Sequence, residues 1–439
     1  MFLVVGVMAA LLSSRLWPTS PEDVPRAGGM TTLFNRSSHA FGQPAPGLTM
    51  AEVDKHRVGD IAFDAVFVTS PAKINPGLGP LFNNSSCGAC HIKNGRGLPE
   101  LGQALVRVSL SPTSKQVVSP RDGVVPVPNI GTQVRDHAIY GDQPDARVSL
   151  SWQTQSGQYP DGTDYQLRSP QLSLSQSDPQ KPIPETVLTS LRIPPPVFGM
   201  GLLEVLPENT LQQLADPQDQ DGDGISGRRN RVWDPDIRQT ATGRFGLKAN
   251  SPTLRHQVAS AYSNDMGIAN PMFLEASGRQ DIDEETLEAN VFYVQSLGVP
   301  ARTMLDDLAV GRGEKLFDQA NCAACHISTL KTGPAPIAAL ANQTIHPYTD
   351  LLLHDMGPGL ADGRPDFVAD GQEWRTSPLW GLGLTDTVLP YSGYLHDGRA
   401  RSVEEAILWH SGEADAAKQQ FMAMDIEDRR AMLKFLNSL

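Results

Sequence analysis

This sequence predicts a mainly α fold in two domains of one kind, the first enlarged by a loop-rich insertion with short strands. Three observations predict it. One five-residue pattern occurs twice, as Cys87-Gly88-Ala89-Cys90-His91 and as Cys322-Ala323-Ala324-Cys325-His326. Apolar residues recur at helical spacing before the second copy and again at the end of the chain. Between about 103 and 200 that spacing gives way to alternation broken by Pro and Gly.

The two copies use all four cysteines of the 439 residues. Cys-x-x-Cys-His reads as a covalent c-type haem site. On a helix, positions i, i+3 and i+4 share a face, so two thiols can form thioethers to one macrocycle while the imidazole reaches the iron. A disulfide within Cys-x-x-Cys would be strained and would not need His twice. One zinc shared by both pairs would leave both histidines unexplained and exceed the usual ligand spacing. A thioredoxin-like pair expects a βαβ context that is not visible. The reading is two covalently bound haem c groups, each in a cytochrome c-like domain.

A net charge of −13 argues against nucleic acid and anionic membrane as partners and suits a basic redox partner protein. Phe2 to Leu12 are almost wholly apolar, too short for a typical spanning helix and suited to an export signal. Residues 1–20 are thus a signal peptide or an uncleaved anchor, the one expected contact with a membrane. Haem attachment of this kind takes place, in bacteria, outside the inner membrane. Both arguments place the protein in the periplasm.

Residues 21–45, rich in Ser, Pro, Arg and Gly, read as a linker. The N-terminal haem domain is expected over 46–298, with its insertion at about 103–200, where Val106, Val108 and Leu110 alternate with polar residues. Gly95-Arg96-Gly97 is a turn that lets backbone approach a haem edge. Glu204, alone in the apolar run 199–206, has two readings: a solvated residue, or a carboxyl group over a haem whose burial fits it for proton transfer. Asp219-Gln220-Asp221-Gly222-Asp223-Gly224 matches the opening of a calcium loop, with Asp219, Asp221 and Asp223 as ligands. Its twelfth position is Asn230 instead of Glu, and a plain acidic turn is the other reading.

Residues 283–297 form the clearest helix: Asp283 caps it, and Leu287, Val291, Val294 and Leu297 line one face. Gly298 and Pro300 stop it, which puts the boundary to the C-terminal haem domain, 299–439, there. Beyond His326 stand two candidates for a sixth iron ligand, Met356 and His410. Ser402 and Glu405 form a capping box, and Val403, Ala406, Ile407 and His410 fall on one face of the helix it starts.

As a set, several motifs resemble the bacterial dihaem oxidoreductases described as peroxidases, relatives of dihaem cytochrome c peroxidases and of the dihaem enzyme of methylamine utilisation. They are Gly77-Leu78-Gly79-Pro80-Leu81-Phe82-Asn83, residues 199–206, 219–228, Gly243-Arg244-Phe245-Gly246, Asp265-Met266-Gly267-Ile268 and Tyr394-Leu395-His396-Asp397-Gly398-Arg399-Ala400. The resemblance covers most of the chain after residue 45. It implies that His410 is the distal ligand of the C-terminal haem, in preference to Met356. It implies that peroxide reacts at the N-terminal haem, with Glu204 above it. Arg107 stands where several peroxidases carry a distal His, and it has no lone pair for an iron. The implied function is a peroxidase-type oxidoreductase. Electrons would come from a small cytochrome or cupredoxin, enter at the C-terminal haem and reduce hydrogen peroxide at the N-terminal one. A non-catalytic electron carrier and an enzyme acting on a protein substrate are the other readings. Trp233, Trp374, Trp380 and Trp409 are candidates to lie between the haems.

Overall fold

The computed structural model describes residues 26–111 and 118–439. The expected export segment lies outside them, and among the described residues no helix is long and apolar enough to cross a membrane. The mainly α expectation fails, and the pair of cytochrome c-like domains with it. The described residues are 30% helical and 20% strand, with many small sheets and loops. The 39 glycines and 35 prolines account for much of this, because each residue type interrupts a regular element.

The longer helices follow their sequence signals. Thr49 caps Met50–Asp64 through a full capping box with Glu52. The Asp283 carboxylate accepts the Thr286 N–H at 2.9 Å and starts Glu284–Ser296, where Leu287, Val291 and Val294 are buried as the spacing requires. These two helices pack closely because Gly59 has no side chain; a Cβ there would meet the Ala289 carbonyl oxygen at 2.2 Å. The second half repeats the device. Leu308–Gln319 lies against Ile426–Leu436, and a Cβ on Gly313 would sit 2.0 Å from the Ala431 carbonyl oxygen. The first helix of each pair contacts its own Cys-x-x-Cys turn.

In the insertion, Leu105–Leu110 is the centre of a three-stranded antiparallel sheet between Gln133–Val134 and Val187–Arg192. Val106, Val108 and Leu110 are buried, as their alternation predicts. His137–Ala138 is a further short strand, paired with Leu81–Phe82, but the insertion also contains two long ones. Ala146–Gln158 and Asp164–Gln176, 13 residues each, pair along their whole length as an antiparallel ribbon. Its tip reaches the second half of the chain. Tyr159, 3% exposed, packs there and donates its hydroxyl to Glu404 at 2.7 Å. Arg168 donates to the carbonyls of Gly398 and Arg399, and Arg429 to Asp161.

Residues 26–45, read as linker, are packed where they begin to be described. Thr32–Leu33 pairs in parallel with Val299–Pro300, and Phe41 stacks on Phe198 at 4.2 Å. The boundary expected at 298/299 therefore falls beside a buried strand. The largest apolar cluster joins Phe63, Tyr262 and Leu287 to Leu330, Ile345 and Trp380, so both halves build it.

Candidate functional site

Two cavities of similar size, about 210 and about 230 Å³, each receive one Cys-x-x-Cys-His turn. Cys87–Cys90 is a single helical turn capped by Ser86, and the His91 N–H donates to the Cys87 carbonyl at 2.9 Å. Cys322–Ala324 is a 3₁₀ turn, and the His326 N–H donates to the Cys322 carbonyl at 3.0 Å. Each turn thus brings both sulfurs and the imidazole to one wall, as the spacing requires. All four cysteines are free. Burial pushes the thiols of Cys87, Cys90 and Cys322 up to about 12 and raises Cys325 as well. They are neutral thiols near pH 7, which fits neither a thiolate nucleophile nor an activated redox pair.

The histidines are held in one tautomer. His91 donates Nδ1–H to the Pro195 carbonyl at 2.8 Å and His326 donates Nδ1–H to the Tyr348 carbonyl at 3.0 Å. That leaves Nε2 with its lone pair, the arrangement of a metal-ligating imidazole. Burial pushes both down to about 4, and the carbonyl bonds only partly offset this, so both are neutral near pH 7.

His410 completes the second cavity. Val403, Ala406, Ile407 and His410 all line it, the four residues placed on one face by their spacing. The helix itself is Val403–Trp409 and His410 is its C-cap, with Nδ1–H donated to the Ala406 carbonyl at 2.7 Å. The capping box is half formed. Ser402 accepts the Glu405 N–H, but the Glu405 carboxylate turns to Arg401. His410 is close enough to His326 to push its pKa down. Met356 lines the same cavity. Two other histidines there are engaged: His354 bonds Asp350 and Glu413, each at 2.8 Å, and His396 lies flat on Trp374 at 3.6 Å.

The first cavity contains one histidine, His91, with the thioethers of Met200 and Met266 and the guanidinium of Arg107. Glu204 does not line it. Its Oε1 accepts the Leu254 N–H at 2.7 Å and its Oε2 accepts from Gln295 at 2.6 Å. The carboxylate therefore fastens the start of the helix Leu254–Asp265, one layer behind the cavity. Burial raises its pKa, partly offset by those two bonds and by Arg244.

The acid that does line the first cavity is Asp265, at the other end of that helix. Burial raises it, while Arg107 and a 2.7 Å hydrogen bond from Gln133 pull it back. It opens Asp265-Met266-Gly267-Ile268, one of the motifs that carry the family resemblance. A lone acid ending a helix just before Met-Gly was the available signal.

Asp219, Asp221 and Asp223 have carboxylate oxygens within 4.8 Å of one another, and Asp223 borders the second cavity. Burial and the neighbouring Asp221, Asp219 and Asp216 raise the Asp223 pKa. Asn230 takes no part in that loop. It is fully buried, its amide donating to the Lys248 and Asp366 carbonyls, so a twelve-position calcium loop is not formed. Trp380 lines the first cavity and Trp374 the second, whereas Trp233 and Trp409 line neither.

The family model described as "Di-haem oxidoreductase, putative peroxidase" matches residues 22–285 and 277–439. The chain belongs to the di-haem oxidoreductase family. Two haem groups follow from that membership, and the two cavities fit them. Each offers two thiols, a neutral imidazole and apolar walls, with Phe63, Phe198 and Val258 in the first and Phe317, Leu382 and Met432 in the second. Among solved structures, hydrazine synthase of Kuenenia stuttgartiensis matches at 13% identity over 99% of this chain and 100% of that one, with a TM-score of 0.42. A likeness that distant carries no functional argument. No curated protein sequence matches the chain.

Proposed function

We propose that this di-haem oxidoreductase is an exported, peroxidase-type enzyme. Electrons enter at the second cavity, from a small cytochrome or cupredoxin, and hydrogen peroxide is reduced in the first. The observation that carries this reading is the unequal supply of imidazoles. The second cavity has His326 and His410, both with Nε2 unprotonated, and the first has His91 alone. A centre with two imidazole ligands suits electron relay, and one with a single imidazole leaves room for substrate.

The haems would be attached through Cys87 and Cys90 and through Cys322 and Cys325, with His91, His326 and His410 as iron ligands. Bound haem supplies an iron that takes an oxygen ligand and exchanges single electrons. Reduction of one peroxide to two waters needs two electrons and two protons. Asp265 is the group placed to deliver a proton in the first cavity, since burial keeps it readier to be protonated than an ordinary carboxylate. Arg107, beside it, favours negative charge developing on the departing oxygen. Glu204 acts through the backbone of Leu254, whose side chain lines the cavity, and so is a positioning residue. The crowded carboxylates of Asp219, Asp221 and Asp223 are a candidate calcium site at the rim of the second cavity.

The electron paramagnetic resonance spectrum of the purified ferric protein, read with peroxide turnover, tests the assignment. One high-spin and one low-spin centre are expected, with cyanide perturbing only the former. Two low-spin centres inert to cyanide and peroxide would leave an electron carrier instead.

A further inference from the structure

Among the described residues, only Arg96, Leu247, Arg375 and Ser377 line both cavities, so they form the wall the two have in common. Two of the four are arginines. Arg375 ends the buried strand Glu373–Arg375 and is 9% exposed. It donates Nε–H to the Gly246 carbonyl at 2.9 Å and an Nη1 hydrogen to the Thr376 carbonyl at 3.2 Å. Arg96, the middle of the Gly-Arg-Gly turn, reaches only the Leu395 carbonyl at 3.4 Å and the face of Tyr394.

Neither guanidinium touches a carboxylate among the described residues. Their neighbours do: Arg192 pairs with Asp366, Arg228 with Glu373 and Arg399 with Asp397. Arginine stays protonated near pH 7, and burial brings Arg375 down only to about 10. The charge of Asp350, a carboxylate hydrogen-bonded to His354, offsets the burial of Arg375 only in part, and a buried cation with no carboxylate in contact still favours an anion beside it. Haem brings two carboxylate side chains, and the guanidinium fork matches a carboxylate in two-point contact.

We infer that Arg96 and Arg375 form one cationic wall that receives carboxylate side chains from both haems and so couples their reduction potentials. The inference rests on both cavities holding haem. Removing either positive charge leaves both irons facing less compensated negative charge, which favours the ferric state in each.

The experiment is a mediated spectroelectrochemical titration of the holoprotein, with haem content per chain measured first. Arg375→Gln is expected to keep two haems and lower both midpoint potentials. The reduced-to-oxidised ratio at fixed potential should fall by about tenfold, about 59 mV for a one-electron couple. Arg375→Lys, which keeps the charge but loses the fork, should lower both by less, and Arg96→Gln should again lower both. A shift of only one potential, or of neither, with two haems retained would overturn the shared wall. Where Arg375→Gln loses haem, the other two variants decide by the same readout. A wild-type chain carrying fewer than two haems would instead sink the two-haem reading, and this inference with it.

Discussion

The two cavities begin from the same five-residue turn and end as different chemical environments. Both have neutral thiols and an imidazole fixed through Nδ1 to a backbone carbonyl. They part at the opposite supply of ligands: His410 in the second, and Met200, Met266 and the Asp265–Arg107 pair in the first. The difference teaches that the local motif sets the wall of thiols and imidazole, whereas residues far along the chain set the rest of each cavity.

The largest test of that contrast is His410→Gly. The low-spin signal of the second centre should be lost and a second high-spin signal should replace it, with the first centre unchanged. If the low-spin signal persists with a thioether-to-iron absorption band, Met356 is the ligand and the two cavities are less different than argued.

Next comes the proton. Asp265→Asn should lower peroxide turnover by roughly 10²–10⁴-fold, the usual reach of a general acid, without changing haem content. Glu204→Gln should cost less than about tenfold, since a carboxamide oxygen can still accept the Leu254 N–H. Reversal of that order would restore Glu204 as the acid.

The ribbon gives a third contrast, because it leaves the first half and is anchored in the second. Tyr159→Ala should destabilise the protein by about 3–5 kcal/mol in denaturant titration, as for other large buried aromatic residues. Hydrogen exchange should rise first around residues 398–409, where Arg168 and Tyr159 dock. Faster exchange confined to the insertion would mean that the tip supports nothing in the second half.

How much of this was legible follows from the range of the forces involved. The two Cys-x-x-Cys-His turns, the Asp283 cap and the face Val403, Ala406, Ile407 and His410 depend on neighbours within a few residues, and sequence spacing exposed them. The base of the ribbon does alternate, at Val148, Leu150 and Trp152 and at Leu172 and Leu174, but 153–158 is rich in Gln and mostly exposed, so spacing did not reveal the ribbon's length. The apolar run around Glu204 left a solvated and a proton-transferring acid both open, and only the family resemblance placed it over a haem. The hydrogen-bond partners of Glu204, the Leu254 N–H and the Gln295 amide, lie 50 and 91 residues on, beyond the reach of local spacing. Asp265 and the Arg96–Arg375 wall have no local signature, since what matters about them is a cavity assembled from elements far apart in the chain.

The smallest expected effect concerns pH, where two buried histidines outside the ligand set should respond with opposite sign. Burial pushes His256, on the helix Leu254–Asp265, down to about 4; Asp234 opposes this and Arg121 adds to it. Its unfolded value is near 6.5. The stability it contributes is therefore present above pH 6.5 and is lost as pH falls towards 4, by on the order of 3 kcal/mol. Burial also disfavours the charge on His354, but Asp350, Cys325 and Glu413 more than reverse that and hold it well above 6.5. Its contribution is complete below pH 6.5 and is lost as pH rises through its folded value. Acid should thus loosen the helix of the first half, and alkali the Leu353–Asp355 strand of the second. Hydrogen exchange at pH 5 and at about pH 9 reads both limbs in one protein. His256→Phe should flatten the acid limb and His354→Gln the alkaline one. If each substitution flattened both limbs, the two halves would be melting as one unit and the separation between them would not hold.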